Sequence, residues 1–115
     1  MSTVIWHNPK CSTSRKVLEM IRARGVEPTV VDYQKTPPSA SEIRAALKAM
    51  GMNPRDLLRK KNTPYDELGL DDPKLTDAAL VSAMAEHPLL IERPVVHTKK
   101  GTRLCRPVDR LQEIL

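Results

Sequence analysis

The stretch that decides the fold is TVIWHNPKCSTSRKVLEMIRARGVEPTVVDY, residues 3–33. Its first five residues, Thr-Val-Ile-Trp-His, are β-branched and aromatic and are stopped by Asn8-Pro9, so they read as a short buried strand. A helix is expected to begin at Ser12 to Ser14, where hydroxyl side chains can cap free amides. Val17, Leu18, Met20 and Ile21 supply its apolar stripe, and Gly25 suits a left-handed residue just past its end. Residues 29–33, Thr-Val-Val-Asp-Tyr, make a second strand. Strand, helix and strand in so short a span match a βαβ unit, whose strands are parallel and whose crossover is right-handed.

Beyond this unit Pro37-Pro38 breaks the chain, and Ser39 with Glu42 forms a capping box ahead of Ile43, Ala46, Leu47 and Met50. Gly51 closes that helix. Asn53-Pro54 places an N-cap before a proline and predicts a short basic helix through Arg55, Leu57, Leu58, Arg59 and Lys60. Residues 63–73 read as loop, and Thr76 caps a helix over residues 77–86 that must end before Pro88. Val95-Val96-His97 and Thr102-Arg103-Leu104-Cys105 flank a Lys99-Lys100-Gly101 turn, as in an antiparallel hairpin. A last helix is expected to use Val108, Leu111, Ile114 and Leu115. The sum is an α/β chain with a mixed sheet, a single thioredoxin-like domain over residues 1–115. Residues 38–88 enter it as a helical insertion between the βαβ and ββα halves.

Composition agrees with one modest core. The 115 residues carry 19 Lys and Arg against 14 Asp and Glu, a net charge of +5. A chain of this size buries about two-thirds of its surface on folding. It has no Phe, and Trp6, Tyr33 and Tyr65 are its aromatic residues, so aliphatic side chains must fill the interior. Stacking platforms for single-stranded nucleic acid are nearly lacking, and no nucleic-acid partner is expected. No apolar run approaches a spanning helix, and the N-terminus lacks the pattern of a secretory signal, so neither a membrane nor export is expected and the location reads as cytoplasmic. Residues 64–92 hold seven acids and one base, Lys74, whereas 97–110 hold Lys99, Lys100, Arg103, Arg106 and Arg110 against Asp109, a distribution expected to attract anions to the C-terminal hairpin.

Two cysteines, Cys11 and Cys105, make neither a disulfide framework nor a zinc-ligand set. Cys11 falls between a strand and a helix, near free amides and the positive end of the helix dipole, with His7, Lys10, Arg15 and Lys16 close in sequence. That setting lowers a thiol toward neutrality and marks a working nucleophile. Position 14 is Ser, so Cys-Ser-Thr-Ser lacks the second thiol of a redox pair, and any oxidised intermediate must be resolved by Cys105, by an external thiol such as glutathione, or by another protein. A phosphatase-type cradle is missing too, since Val17 stands six positions on. Arg93-Pro94, Arg106-Pro107 and Arg59 offer guanidinium forks suited to a tetrahedral oxyanion. A cis bond before Pro94 would turn that corner toward the thiol in a thioredoxin-like fold. His7 reads equally as a packed strand-end residue and as a partner of the thiolate. Cys105 reads first as core.

The segment His7-Asn8-Pro9-Lys10-Cys11-Ser12-Thr13-Ser14-Arg15-Lys16 closely resembles the active-site segment of glutaredoxin-coupled arsenate reductases. Leu57-Leu58-Arg59-Lys60, Pro64-Tyr65-Asp66-Glu67-Leu68-Gly69-Leu70, Glu92-Arg93-Pro94-Val95-Val96 and Gly101-Thr102-Arg103-Leu104-Cys105-Arg106-Pro107 resemble that family's later motifs in order and spacing. The resemblance implies attack of the Cys11 thiolate on arsenate, with His7 keeping Cys11 reactive. It implies substrate binding by Arg59, Arg93 and Arg106, joined by Ser14 and Arg15, and a cis Pro94. Glutathione would be co-substrate, with no bound cofactor or metal, and glutaredoxin the partner that reduces the mixed disulfide on Cys11. The implied role is arsenical resistance. Two other readings stay open: a glutathione-dependent thiol oxidoreductase, and a redox-linked transcription regulator of the same fold, against which Ser14 argues.

Overall fold

The structure, a computed structural model, describes residues 2–115. The chain divides into two compact units, one running to Thr36 and resuming over Arg93–Leu115, the other formed by Pro37–Glu92.

The first unit carries the sheet. Strands β1 (Val4–His7) and β2 (Thr29–Asp32) are parallel, with Ile5 opposite Val30 and His7 opposite Asp32. Helix α1 (Ser12–Ala23) makes the crossover between them, and Gly25 takes a left-handed φ of 80° just beyond it. Strands β3 (Val95–Thr98) and β4 (Gly101–Leu104) form the expected antiparallel hairpin, and β3 also pairs antiparallel with β1. The order β2-β1-β3-β4 gives the mixed four-stranded sheet read from the sequence. Ile5, Val96 and Cys105 from the sheet side, Val17 and Ile21 from α1, and Leu111 and Ile114 from the C-terminal segment form one buried cluster.

The C-terminal segment differs from the sequence reading. Val108–Glu113 is a 3-10 helix, not an α-helix, held by bonds from the Arg110 N–H to the Pro107 oxygen and from the Ile114 N–H to the Leu111 oxygen. The apolar spacing explains it: positions 108, 111 and 114 repeat every three residues, which is the 3-10 period and keeps all three on one edge.

In the second unit the Ser39 capping box starts α2 (Ala40–Met50), and Gly51 ends it with a φ of 66°. Asn53 caps α3 (Pro54–Leu57), which is a single turn and not the longer basic helix expected through Lys60. Leu58 leaves helical geometry because it pairs with Ile91, while the Arg59 N–H donates to the Leu90 oxygen at 2.7 Å and the Glu92 N–H to the Leu57 oxygen at 2.9 Å. Thr76 caps α4 (Asp77–Glu86), against which α2 and α3 pack. The helical unit therefore runs a few residues past the expected boundary at 88. Among the described residues no helix is long and apolar enough to cross a membrane.

Candidate active site

The end of β1 and the start of α1 build a tight corner around Cys11. Asn8 folds the loop: its side-chain oxygen accepts the Lys10 N–H at 3.0 Å and its backbone oxygen accepts the Cys11 N–H at 3.0 Å. Cys11 is the extended residue that precedes the first turn of α1, and the Arg15 N–H donates to its carbonyl at 3.0 Å. The expected hydroxyl capping does not occur. The N-cap position falls on Cys11, whose side chain makes no capping bond, and Ser14 in the first turn points its hydroxyl back toward the strand. Its oxygen accepts the Asn8 N–H at 3.1 Å and lies 2.7 Å from His7 Nδ1.

The Arg93 side chain, the Ser14 backbone N–H and the Arg106 side chain each favour the thiolate form of Cys11. Arg106 Nη1 stands 4.0 Å from Sγ and also donates to the Arg93 backbone oxygen at 3.0 Å. Burial alone would push the thiol up, yet these donors and the Arg93 charge outweigh it and bring Cys11 down to about 7. Near neutral pH roughly half of such a thiol is thiolate, the nucleophilic form. Both arginines precede cis prolines, Pro94 and Pro107. A buried sulfur anion with two guanidinium groups beside it can attack an electrophilic centre while its donors hold oxygens attached to that centre.

A model of the ArsC family matches residues 6–114. The chain belongs to the ArsC family. An arsenate reductase of Rhizobium meliloti (strain 1021) is 52% identical over 115 residues, which covers 100% of this chain and 82% of that protein. An arsenate reductase of Escherichia coli (strain K12) is 52% identical over 111 residues, 96% of this chain and 79% of the relative. Among solved structures, an arsenate reductase from Vibrio cholerae superimposes with a TM-score of 0.95 at 46% identity, covering 100% of this chain and 98% of that one. The thioredoxin-like α/β fold of the family is thus the fold of this chain.

Within this ArsC frame the other sequence-derived residues fall into three groups. Cys11, His7, Ser14, Arg93 and Arg106 come together in the first unit. His7 is buried and meets Ser14, so its hydrogen bond reaches the thiol's neighbour. Burial holds His7 below 6.5, with Arg22 and Arg15 acting in the same sense and Asp32 opposing them, so the ring is neutral at pH 7. Arg15 is solvent-exposed and donates through Nη1 to the Pro9 oxygen at 2.9 Å, which braces the loop.

Arg59 belongs to the second unit, on the extended stretch after α3. Its guanidinium donates to Glu92 Oε1 at 2.8 Å and to the Lys61 oxygen at 3.2 Å. Cys105 is fully buried in the apolar cluster, and burial pushes its thiol up to about 12. It is core.

Two residues that matter here escaped the sequence reading. Asn8 was read as a strand stop, although it is buried and shapes the cysteine loop. Tyr33 was counted as an aromatic residue, although it is fully buried where the Arg93 charge acts on its phenol. The available signal was its place, directly after the strand that pairs with the one leading into the cysteine loop.

Proposed function

We propose that this chain reduces arsenate to arsenite, with Cys11 as nucleophile and glutathione and glutaredoxin as the source of electrons. The observation that carries the reading is the meeting of Arg93 and Arg106 at a Cys11 sulfur held near neutrality. The names borne by its relatives supply the substrate.

In this scheme the thiolate bonds to arsenic and one arsenate oxygen leaves as water, its protons coming from solvent. Arg93 and Arg106 hold the remaining oxygens, and the family pattern adds Arg59 as a third guanidinium. Ser14 orients the loop through its hydroxyl and supports the thiolate through its N–H, and His7 fixes that hydroxyl. The glutathione thiol then bonds to the Cys11 sulfur and releases its proton. The sulfur–arsenic electron pair stays on arsenic, taking As(V) to As(III), and arsenite departs. Glutaredoxin removes glutathione from Cys11 by thiol exchange. Two features support an external thiol: Ser stands at position 14, and Cys105 is a buried, unreactive thiol. A cytoplasmic site, where glutathione is reduced, fits this chemistry.

The test is oxidation of NADPH by the purified chain with glutathione reductase, glutathione and glutaredoxin. Turnover that requires arsenate, glutathione and Cys11, and is lost in Cys11→Ser, is the expected result. A folded chain with a reactive Cys11 and no arsenate-dependent turnover sinks the reading in favour of thiol chemistry on glutathione adducts.

A further inference from the structure

A short antiparallel ladder joins the chain around Leu58 to the chain around Ile91. Leu58 bridges Ile91, the Arg59 N–H donates to the Leu90 oxygen at 2.7 Å, and the Glu92 N–H donates to the Leu57 oxygen at 2.9 Å. Across this ladder Arg59 Nη1 donates to Glu92 Oε1 at 2.8 Å, and the two side chains are only 12% and 20% exposed. Arg59 Nε has a separate anchor, the Lys61 oxygen at 3.2 Å. Glu92 directly precedes Arg93, whose backbone oxygen receives the Arg106 Nη1 that stands 4.0 Å from the Cys11 sulfur.

In the function proposed above Arg59 meets the oxyanion as a cation, yet the chain supplies that cation with a carboxylate of its own. A carboxylate in contact with a guanidinium cancels much of its pull on an approaching anion, and where water is partly excluded it also repels that anion directly. The geometry does not need the charge. An amide oxygen in the same place accepts the same Nη1–H, and the Lys61 oxygen still holds the Nε edge. One substitution therefore separates the negative charge of Glu92 from its hydrogen bond.

We infer that Glu92 is the resident counter-ion of Arg59 and, through its charge, holds down the affinity of the anion site for tetrahedral oxyanions. This role rests on Arg59 being a ligand of the oxyanion, as in the function proposed above.

The experiment compares the wild type with Glu92→Gln, Glu92→Asp and Arg59→Ala. Its probe is inorganic phosphate, a tetrahedral oxyanion that a thiol does not reduce, and it reads the concentration that half-protects Cys11 from iodoacetamide at neutral pH. Arsenate KM and kcat are read separately. Glu92→Gln is expected to lower the half-protecting concentration and the arsenate KM roughly fivefold each, with kcat changed by less than about twofold. Glu92→Asp keeps the charge and should show no such fall, and Arg59→Ala should raise both constants. A merely structural pair predicts the opposite direction, because loosening Arg59 weakens the hold on the anion. Unchanged or raised constants in Glu92→Gln therefore overturn the inference, and so does an equal fall in Glu92→Asp or an absence of phosphate protection in both the wild type and Glu92→Gln. Unmoved constants in Arg59→Ala overturn it as well, since the counter-ion then has no ligand to restrain. If Glu92→Gln fails to fold, Glu92→Met keeps the length of the side chain without the charge, and the same fall is expected. A wild type inactive on arsenate, in which Glu92→Gln still tightens phosphate protection, fails the arsenate reading and leaves the counter-ion standing.

Discussion

Arg106 Nη1 lies 4.0 Å from Cys11 Sγ while donating to the Arg93 backbone oxygen at 3.0 Å. The second bond orients the first: it ties the β4 exit to the β3 entry and holds the guanidinium edge toward the sulfur. Cys11 alkylation should therefore follow a titration centred at about 7, slow below it and fast above it, since only the thiolate reacts. Arg106→Ala removes one donor to the anion, so the midpoint should move up by about half a unit to one unit. Iodoacetamide rates between pH 5 and pH 9 check this, on the order of two units to either side of the midpoint. A midpoint that stays put would remove Arg106 from the thiol's environment.

Cys105 should contribute nothing to turnover. It is fully buried, and its thiol is pushed up to about 12, so essentially no thiolate exists at neutral pH. Mass spectrometry after brief alkylation should find Cys11 modified in the folded chain and both cysteines modified in urea. Cys105→Ala should retain kcat and lose about 1–2 kcal/mol of stability to the cavity left in the apolar cluster. A lost kcat in a folded Cys105→Ala chain would make Cys105 the resolving thiol after all.

The Arg59–Glu92 pair, at 2.8 Å with side chains 12% and 20% exposed, is shielded enough to matter for stability. Removing one partner leaves a charge with little water around it, so Glu92→Ala should cost about 1–3 kcal/mol, between the values for surface and buried pairs. Chemical denaturation in urea measures it, and added salt should change the difference little because the pair is only partly accessible. A cost no larger than that of an exposed pair, such as Arg22 with Glu27, would show that the bridge carries no structural burden.

Much of this was legible in the sequence because it is local. The β1-α1-β2 unit follows from β-branched runs and Gly25, and the second unit's caps follow from Ser39, Asn53 and Thr76. Arg93 and Arg106 stood out by their place before prolines at strand ends. What was not legible depends on partners distant in the chain. Leu58 gives up the α3 helix for a bridge to Ile91, and Tyr33 is buried where the charge of Arg93, distant in the chain, acts on it. The Ser14 hydroxyl chooses His7 and Asn8 over the helix start because the βα corner brings them within reach. The terminal 3-10 helix is a different case: the period of three in Val108, Leu111 and Ile114 is compatible with one edge of an α-helix as well as of a 3-10 helix.

Ser14 offers two separable contributions to the site, one through its hydroxyl and one through its backbone. The hydroxyl serves two buried neighbours, the Asn8 N–H at 3.1 Å and His7 Nδ1 at 2.7 Å, whereas the help given to Cys11 comes from the Ser14 N–H. Ser14→Ala keeps the N–H, so the Cys11 alkylation midpoint should stay within about 0.3 unit of wild type. It strands the buried Asn8 donor and His7 ring, and should lower stability by about 1–3 kcal/mol. The same contact sets an acid limit. His7 is held below 6.5 mainly by burial, so the folded chain binds that proton less readily than the unfolded chain does. The contribution is complete above 6.5 and is lost as the pH falls through the lowered folded-state value. His7→Gln should flatten that acid-side decline when melting temperature is followed from pH 7 downward, while leaving the Cys11 titration nearly unmoved. An alkylation midpoint displaced by a full unit in Ser14→Ala would mean that the hydroxyl itself reaches the sulfur.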